Sequence, residues 1–296
     1  MTTPLEDAPA ALAQGRRLLL KREDTHELGA FKWRGALPSL EGYRDAGADA
    51  VITASTGNHG AATAWAAERT GLRAIVFVPE AVSAAKLELL SRLGAEVIHA
   101  GADVDEAKDA ARTRAERDGL PFFEDGAEPA QFEGYAAIGR EIVEQLGESP
   151  AQTIVPVGNG ALLIGVARGL EGGAALGVVS KDAPVMALSV EAGRPVDCDL
   201  CATFADGLAV RVAVPLAVAE LVELGTPFVQ VSERAIARAV GDFAAAGMRV
   251  EGSAGAGLAA LDHAPQDGPV VLIVTGRNID DDLHRRAVEQ PESFPD

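Results

Sequence analysis

Short apolar runs alternate with stretches of helical periodicity along nearly the whole chain. The runs Arg17–Leu20, Ala50–Thr53, Arg73–Val78, Glu96–His99, Thr153–Val157, Val185–Val190, Phe228–Val231 and Val270–Thr275 are rich in Val and Ile and mostly unbroken. Such runs suit parallel strands buried on both faces. Between them lie amphipathic stretches, among them Asn58–Thr70, Ala84–Leu93, Asp105–Arg117, Tyr135–Leu146 and Glu233–Ala246. Gly71, Gly94, Gly119, Gly147 and Gly247 follow close behind them, and glycine there supplies the left-handed residue that ends a helix. The alternation predicts an α/β protein with parallel-rich, twisted sheets flanked by helices.

Composition narrows the partners. A chain of 296 residues has room for one large or two modest domains, and 48% hydrophobic residues exclude disorder as a global state. No apolar run approaches the roughly 20 residues of a membrane span. The formal charge of −18, with no Lys/Arg stripe to offset it, excludes nucleic acid as a partner. It leaves room for an anionic cofactor, because local backbone N–H groups can hold a phosphate. Met1–Ala10 is acidic and lacks a basic segment followed by an apolar core, so a cytoplasmic location is expected. Cys198 and Cys201 form a C-x-x-C pair with no second pair and no nearby histidine cluster; they are read as ordinary thiols, and no metal site is expected.

Three glycine-bearing segments follow predicted strands and open helices: Ser55-Thr56-Gly57-Asn58-His59-Gly60, Gly158-Asn159-Gly160-Ala161-Leu162 and Thr275-Gly276-Arg277-Asn278. Each places bare backbone N–H groups at the carboxyl edge of a sheet beside a helix N-terminus, where anions bind. Glycine is common in any βα loop; three such loops in one chain point to a ligand. A dinucleotide fingerprint is excluded, since Gly158-Asn159-Gly160 is followed by Leu163 where a third glycine is needed. A phosphate-binding G-x-x-x-x-G-K-[ST] loop and a G-x-S-x-G nucleophile elbow are also absent. Lys32 stands between Phe31 and Trp33, and a desolvated lysine is a nucleophilic amine; a lysine snorkelling over apolar neighbours is the alternative.

The segments Lys21-Arg22-Glu23-Asp24 and Gly29-Ala30-Phe31-Lys32-Trp33-Arg34-Gly35-Ala36 together resemble the cofactor-lysine region of the threonine dehydratase and serine racemase group, fold type II (tryptophan-synthase-β-like) pyridoxal-phosphate enzymes. Thr3-Pro4-Leu5, the Ser55–Gly60 loop, Val155-Pro156-Val157-Gly158-Asn159-Gly160, Ala205-Asp206-Gly207-Leu208-Ala209-Val210, Val250-Glu251-Gly252-Ser253-Ala254-Gly255-Ala256 and Thr275–Asn278 match in the same order, over nearly the whole chain. The resemblance implies two domains: a large cofactor-binding domain, 1–38 with 146–296, and a small substrate-loop domain, 39–145. It implies that Lys32 carries pyridoxal 5'-phosphate as a Schiff base and acts as catalytic base. Phe31 would pack on the cofactor, and Asn58 would bond its ring hydroxyl oxygen. Gly158, Asn159, Gly160, Ala161 and Leu162 would cradle the phosphate, Gly207 and Glu251 would line the ring, and Thr275 would face the pyridine nitrogen. Ser55, Thr56, Gly57, Asn58 and His59 would grip the substrate carboxylate, with Tyr135 in the substrate pocket.

Departures from the family pattern bear on the reaction. Asn159 and Ala161 interrupt what is usually a run of glycines, and a Gly-Asn-Gly loop with Thr275 is more like threonine synthases. Ala30 replaces a serine, Gly134-Tyr135-Ala136-Ala137 replaces Gly-Gln-Gly-Thr, and Thr56 stands where dehydratases carry alanine and racemases a hydroxyl. The resemblance implies a dehydratase that removes water and ammonia from a small β-hydroxy amino acid such as L-threonine or L-serine, in a homodimer. The alternative is an amino-acid racemase or a threonine-synthase-like replacement enzyme, with Thr56 as a second acid/base.

Overall fold

The computed structural model describes residues 1–296, which form nine strands: β1 (Leu5–Asp7), β2 (Arg17–Arg22), β3 (Ala50–Ala54), β4 (Arg73–Val78), β5 (Glu96–His99), β6 (Gln152–Pro156), β7 (Ala175–Ser180), β8 (Phe228–Val231) and β9 (Pro269–Val274). The chain divides into two compact units. One comprises Met1–Phe31 and Tyr135–Asp296, and the other Lys32–Gly134.

The larger unit holds a six-stranded sheet in the order β1-β2-β9-β6-β7-β8. All its pairings are parallel except β1 on β2. Its central strands carry apolar side chains to both faces, as helix-covered parallel sheets require. Leu18, Leu20, Ile154, Val178, Leu272 and Val274 enter one cluster with Ile236, Val240 and Phe243 of the helix Glu233–Ala245 and with Ala254, Ala256 and Leu258 of the helix Gly252–Ala259. Lys21, in the middle of β2, is fully buried and donates to Thr3 O at 2.7 Å and to Glu141 Oε2 at 2.6 Å.

The smaller unit holds the parallel sheet β3-β4-β5, with Ile52 opposite Ile75 and Ala54 opposite Phe77. Phe122 extends that sheet by a bridge to Ile52. The helix Val104–Asp118 covers one face through Ala107, Ala111 and Ala115, small residues at a four-residue spacing that let helix and sheet approach closely. The helix Asn58–Thr70 runs back from the end of β3 and ends on Gly71 at φ +78°.

Val185–Val190, expected as a strand, is the helix Val185–Glu191. A short buried apolar run has no periodicity that separates the two states, and Pro184 at the N-cap opens the helix. The strand before it is Ala175–Ser180, which Gly172, Gly173 and Gly177 disguise in the sequence. The expected glycine stops hold: Gly71, Gly94, Gly119, Gly147 and Gly247 all have positive φ.

Candidate active site

In the larger unit, the segments singled out by sequence touch one another in series. The stretch leading to Lys32 is pinned to the turn after β9. Phe31 N–H donates to Thr275 O at 3.1 Å, Arg277 N–H to Gly29 O at 2.9 Å, and Asn278 Nδ2 to Leu28 O at 2.8 Å. Glu251 N–H donates to Gly276 O at 3.0 Å. The Thr275 hydroxyl donates to Glu251 Oε1 at 2.8 Å, with both side chains buried. The Thr275 hydroxyl therefore bonds Glu251 rather than its own backbone. Its proton is committed to Glu251, and its oxygen offers lone pairs to any further neighbour.

Close backbone approach continues the series. A Cβ on Gly207 would lie 2.5 Å from Ser253 Oγ, and a Cβ on Gly158 would lie 2.2 Å from Gly207 O. Gly158 opens the turn between β6 and the helix Ala161–Gly169, and Gly160 takes the N-cap at φ +97°. Ile164 N–H is bonded back to Gly160 O, while the N–H groups ahead of it in the first turn have no preceding helical carbonyl to reach. Asn159 explains its own departure from glycine: its Oδ1 accepts Ala161 N–H at 3.1 Å and closes the turn.

In the smaller unit, Lys32 Nζ pairs with Asp125 Oδ2. Asp125 Oδ1 accepts from Gln131 Nε2 at 3.2 Å and lies 3.6 Å from His59 Nδ1. His59 Nε2 faces Phe123 O at 3.2 Å, and the ring leans on Phe123 with centroids 4.6 Å apart. Burial pushes the His59 imidazole pKa down, against the pull of the Asp125 charge, which holds the ring in its neutral form at neutral pH. The lysine and the end of the Ser55–His59 loop are thus joined through one carboxylate. Gly57 N–H donates to Ser55 Oγ at 3.1 Å, and a Cβ on Gly60 would strike Ser55 O at 2.6 Å. The loop folds tightly over the N-terminus of the helix Asn58–Thr70, whose first-turn N–H groups suit a carboxylate. Thr56 is half-buried in it.

Two assigned side chains sit deeper than the sequence implies. His59 is turned into the core and reaches the lysine only through Asp125. Tyr135 is fully buried against Phe31, with ring centroids 5.1 Å apart. Sequence reasoning missed Asp125, Gln131 and Ser253. Glu124-Asp125-Gly126 has the look of a solvated turn, and nothing in its spacing ties it to a lysine so far away in the chain. Ser253 lies inside a motif that was noticed, but its buried Oγ, which has no hydrogen-bond partner, is visible only in three dimensions.

These parts fit a phosphorylated aldehyde. In the larger unit, glycine-built turns supply backbone donors for an anion without a basic side chain, and the orphaned Ser253 hydroxyl beside Gly207 is a buried polar atom that calls for a partner; the smaller unit, taken by itself, carries an amine on Lys32. Parallel sheets with a glycine-built turn after a central strand are the frame of an enzyme that uses an anionic cofactor. The family model described as pyridoxal-phosphate dependent enzyme matches residues 1–276, and the chain belongs to that family. It is 33% identical over 275 residues to L-threonine ammonia-lyase of Geobacter sulfurreducens, covering 90% of this chain and 68% of that protein. It is 35% identical over 215 residues to the biosynthetic L-threonine dehydratase IlvA of Pasteurella multocida, covering 71% of this chain but only 42% of the relative's length. The processed form of threonine deaminase isoform 2 from Solanum lycopersicum superposes with a TM-score of 0.92 at 29% identity, over 99% of this chain and 89% of that one. No helix is long and apolar enough to cross a membrane.

The Gly158 turn gives a direct test of cofactor holding. In Gly158→Ala the added methyl must displace either its own loop or Gly207. A 1–3 kcal/mol penalty of overpacking translates into about 5–150-fold weaker uptake of pyridoxal phosphate. Titration of the cofactor-free protein by fluorescence reads this, and unchanged uptake would separate the turn from the phosphate.

Proposed function

We propose that this chain is an ammonia-lyase that converts a small β-hydroxy amino acid, such as L-threonine or L-serine, to a 2-oxo acid and ammonia. The observation that carries it is the junction of Lys32 with the loop at the head of the helix Asn58–Thr70, through Asp125 and His59. That junction supports reading Lys32 as the proton-transferring amine and the loop as the carboxylate holder. Relatives named threonine ammonia-lyase and threonine dehydratase support the same reaction.

Bound pyridoxal phosphate supplies the electron sink for the carbanion at Cα. The turn Gly158–Leu162 holds its phosphate with backbone N–H groups. Phe31, Gly207 and Glu251 line its ring, Asn58 meets the ring hydroxyl, and Thr275 meets the ring nitrogen. The Ser55–His59 loop orients the substrate by its carboxylate, which fixes the Cα–H bond toward Lys32. Lys32 Nζ takes that proton as general base. Buried Tyr135 backs Phe31. The enzyme acts in the cytoplasm, as a homodimer, on a free amino acid. The experiment is a panel of amino acids given to the holoenzyme and scored for ammonia, 2-oxo acid and enantiomer inversion. Inversion without net ammonia would overturn the reading.

Thr56 is the residue on which a racemase reading would rest. Thr56→Ala is expected to leave ammonia release within about threefold of wild type, because a loop-surface hydroxyl outside the proton path contributes little. Any inversion activity is expected to disappear. Chiral chromatography of residual substrate separates the two outcomes, and collapse of both activities would make Thr56 a substrate-binding residue.

A further inference from the structure

We propose that Phe294 is a positioning residue for the cofactor: seated on Phe204, it sets where the turn Ala205–Gly207 stands against the ring. The proposal rests on the assignment of Gly207 to the cofactor's ring, and it gives the segment Pro291–Asp296 a part in that site.

Both members of the ring pair are held by the start of one helix. Phe294 is buried, and its ring centroid lies 4.6 Å from that of Phe204 at an interplanar angle of 50°. The helix Glu233–Ala245 opens with Ser232 as its N-cap. Glu233, itself buried, fixes Phe204: its Oε2 accepts Phe204 N–H at 2.8 Å, and its Oε1 accepts the Ser180 hydroxyl. Arg234, next in sequence, fixes Phe294. Its backbone N–H donates to Pro295 O at 2.7 Å and its Nε to Phe294 O at 3.3 Å. The Ser232 hydroxyl adds a bond to Asp296 Oδ1 at 3.2 Å. The Arg286 guanidinium also covers Phe294, with Cζ 4.4 Å from the ring centroid, and donates to Ser293 Oγ at 3.0 Å and Ser293 O at 3.1 Å.

Between Phe204 and Gly207 there is no slack to absorb a shift. Asp206 N–H is bonded to Phe204 O at 3.1 Å and Leu208 N–H to Ala205 O at 2.7 Å, so these residues form one tight turn. The turn is pressed against glycines at both ends. A Cβ on Gly252 would lie 2.8 Å from Ala205 Cα and 3.2 Å from Phe204 Cε2, and Gly207 meets Gly158 and Ser253 as closely. Packing this dense passes a displacement on to the next residue. Removing the Phe294 ring leaves a cavity beside Phe204, into which its neighbours relax only in part. The Phe204 ring moves toward that space, and the turn carries Gly207 with it. A segment that merely tethered itself to the helix would cost stability when cut back and leave Gly207 in place.

The test titrates the cofactor-free protein with pyridoxal phosphate and follows the absorption and the induced circular dichroism of the bound cofactor. Urea unfolding of the same cofactor-free proteins runs beside it. An aromatic pair corresponds to about a 2–13-fold change in an equilibrium constant. Phe294→Ala is expected to weaken cofactor binding by about that factor and to change the dichroism of the cofactor that still binds. Phe204→Ala is expected to do the same, and the double variant to be no weaker than the worse single one, because both act through one contact. Phe294→Leu refills most of the space and is expected to restore the dichroism. Arg238→Gln breaks only the exposed pair with Glu292 and is expected to stay within about twofold of wild type. If Phe294→Ala does not fold, Arg234→Met decides: it keeps the stem, loses the donor to Phe294 O, and is expected to weaken binding at least about twofold. Phe294→Ala, or Arg234→Met in its place, with wild-type binding and dichroism would overturn the proposal, whatever urea reports. Additive losses in the double variant would overturn it as well. A wild-type protein that takes up no pyridoxal phosphate would instead remove the reading of Gly207 on which the proposal rests, so the two failures are read from different proteins.

Discussion

Lys32→Ala is expected to lower ammonia release by about 10⁴-fold or more, since it removes both the covalent anchor of the cofactor and the general base. In the wild-type holoenzyme, borohydride is expected to fix the cofactor on Lys32 and on no other lysine. The chain has five lysines, and the environments of the other four argue against them. Lys21 is fully buried and held by Thr3 O and Glu141. Lys108 is paired with Glu124 at 2.5 Å. Lys86 and Lys181 are exposed. Lys32 differs from these in lying at the end of a segment pinned to the turn after β9, beside the carboxylate of Asp125. Peptide mass mapping after reduction reads the result directly. A reduced adduct on another lysine would remove the basis for every role assigned to this site. The alanine variant is expected still to take up cofactor without fixing it, because the Gly158–Leu162 turn does not depend on the lysine.

The glycine turns of the larger unit were legible in the sequence because their signals are local. Glycines at Gly158, Gly160, Gly207 and Gly276 stand where a side chain would collide with backbone or with a buried polar atom, or where the backbone turns left-handed, and a glycine that cannot be replaced leaves a mark in its own short motif. The same holds for the helix stops at Gly71 and Gly119. What escaped was set by distant parts of the chain. Asp125 acquires meaning only through Lys32 and His59, which the fold brings to it. The inward turn of His59 follows from Phe123 lying across it, a contact no periodicity announces. The helix Val185–Glu191 was misread for a related reason: Val185, Met186, Ala187 and Ser189 are buried and even its less buried residues Leu188 and Val190 are apolar, so the polar face by which a helix is recognised is missing.

Thr275 takes its chemistry from a partner that the sequence does not announce. From sequence, a neutral hydroxyl at the end of β9 is a donor for a pyridine nitrogen. In the structure that proton belongs to Glu251 Oε1 at 2.8 Å, and Glu251 N–H is tied in turn to Gly276 O. Thr275→Asp therefore sets a second carboxylate against a buried one in place of its donor. Two carboxylates at such a separation cannot both ionise cheaply, and the pair retains a proton well above the ordinary carboxylate range. The sign of the pH dependence follows. A carboxyl whose folded pKa is raised binds more protons in the native state than in the unfolded one, so stability falls as pH rises from the unfolded value, about 4, through the raised folded value. At pH 8 the variant is expected to be about 3–5 kcal/mol less stable than wild type, with on the order of 1–3 kcal/mol recovered at pH 5. Thr275→Ser keeps the donor and is expected to stay within about 1 kcal/mol. Urea unfolding of the cofactor-free protein at the two pH values measures this without reference to activity. A Thr275→Asp protein as stable as wild type at pH 8 would show that the hydroxyl does not serve Glu251, and would return Thr275 to the role of a donor toward the cofactor.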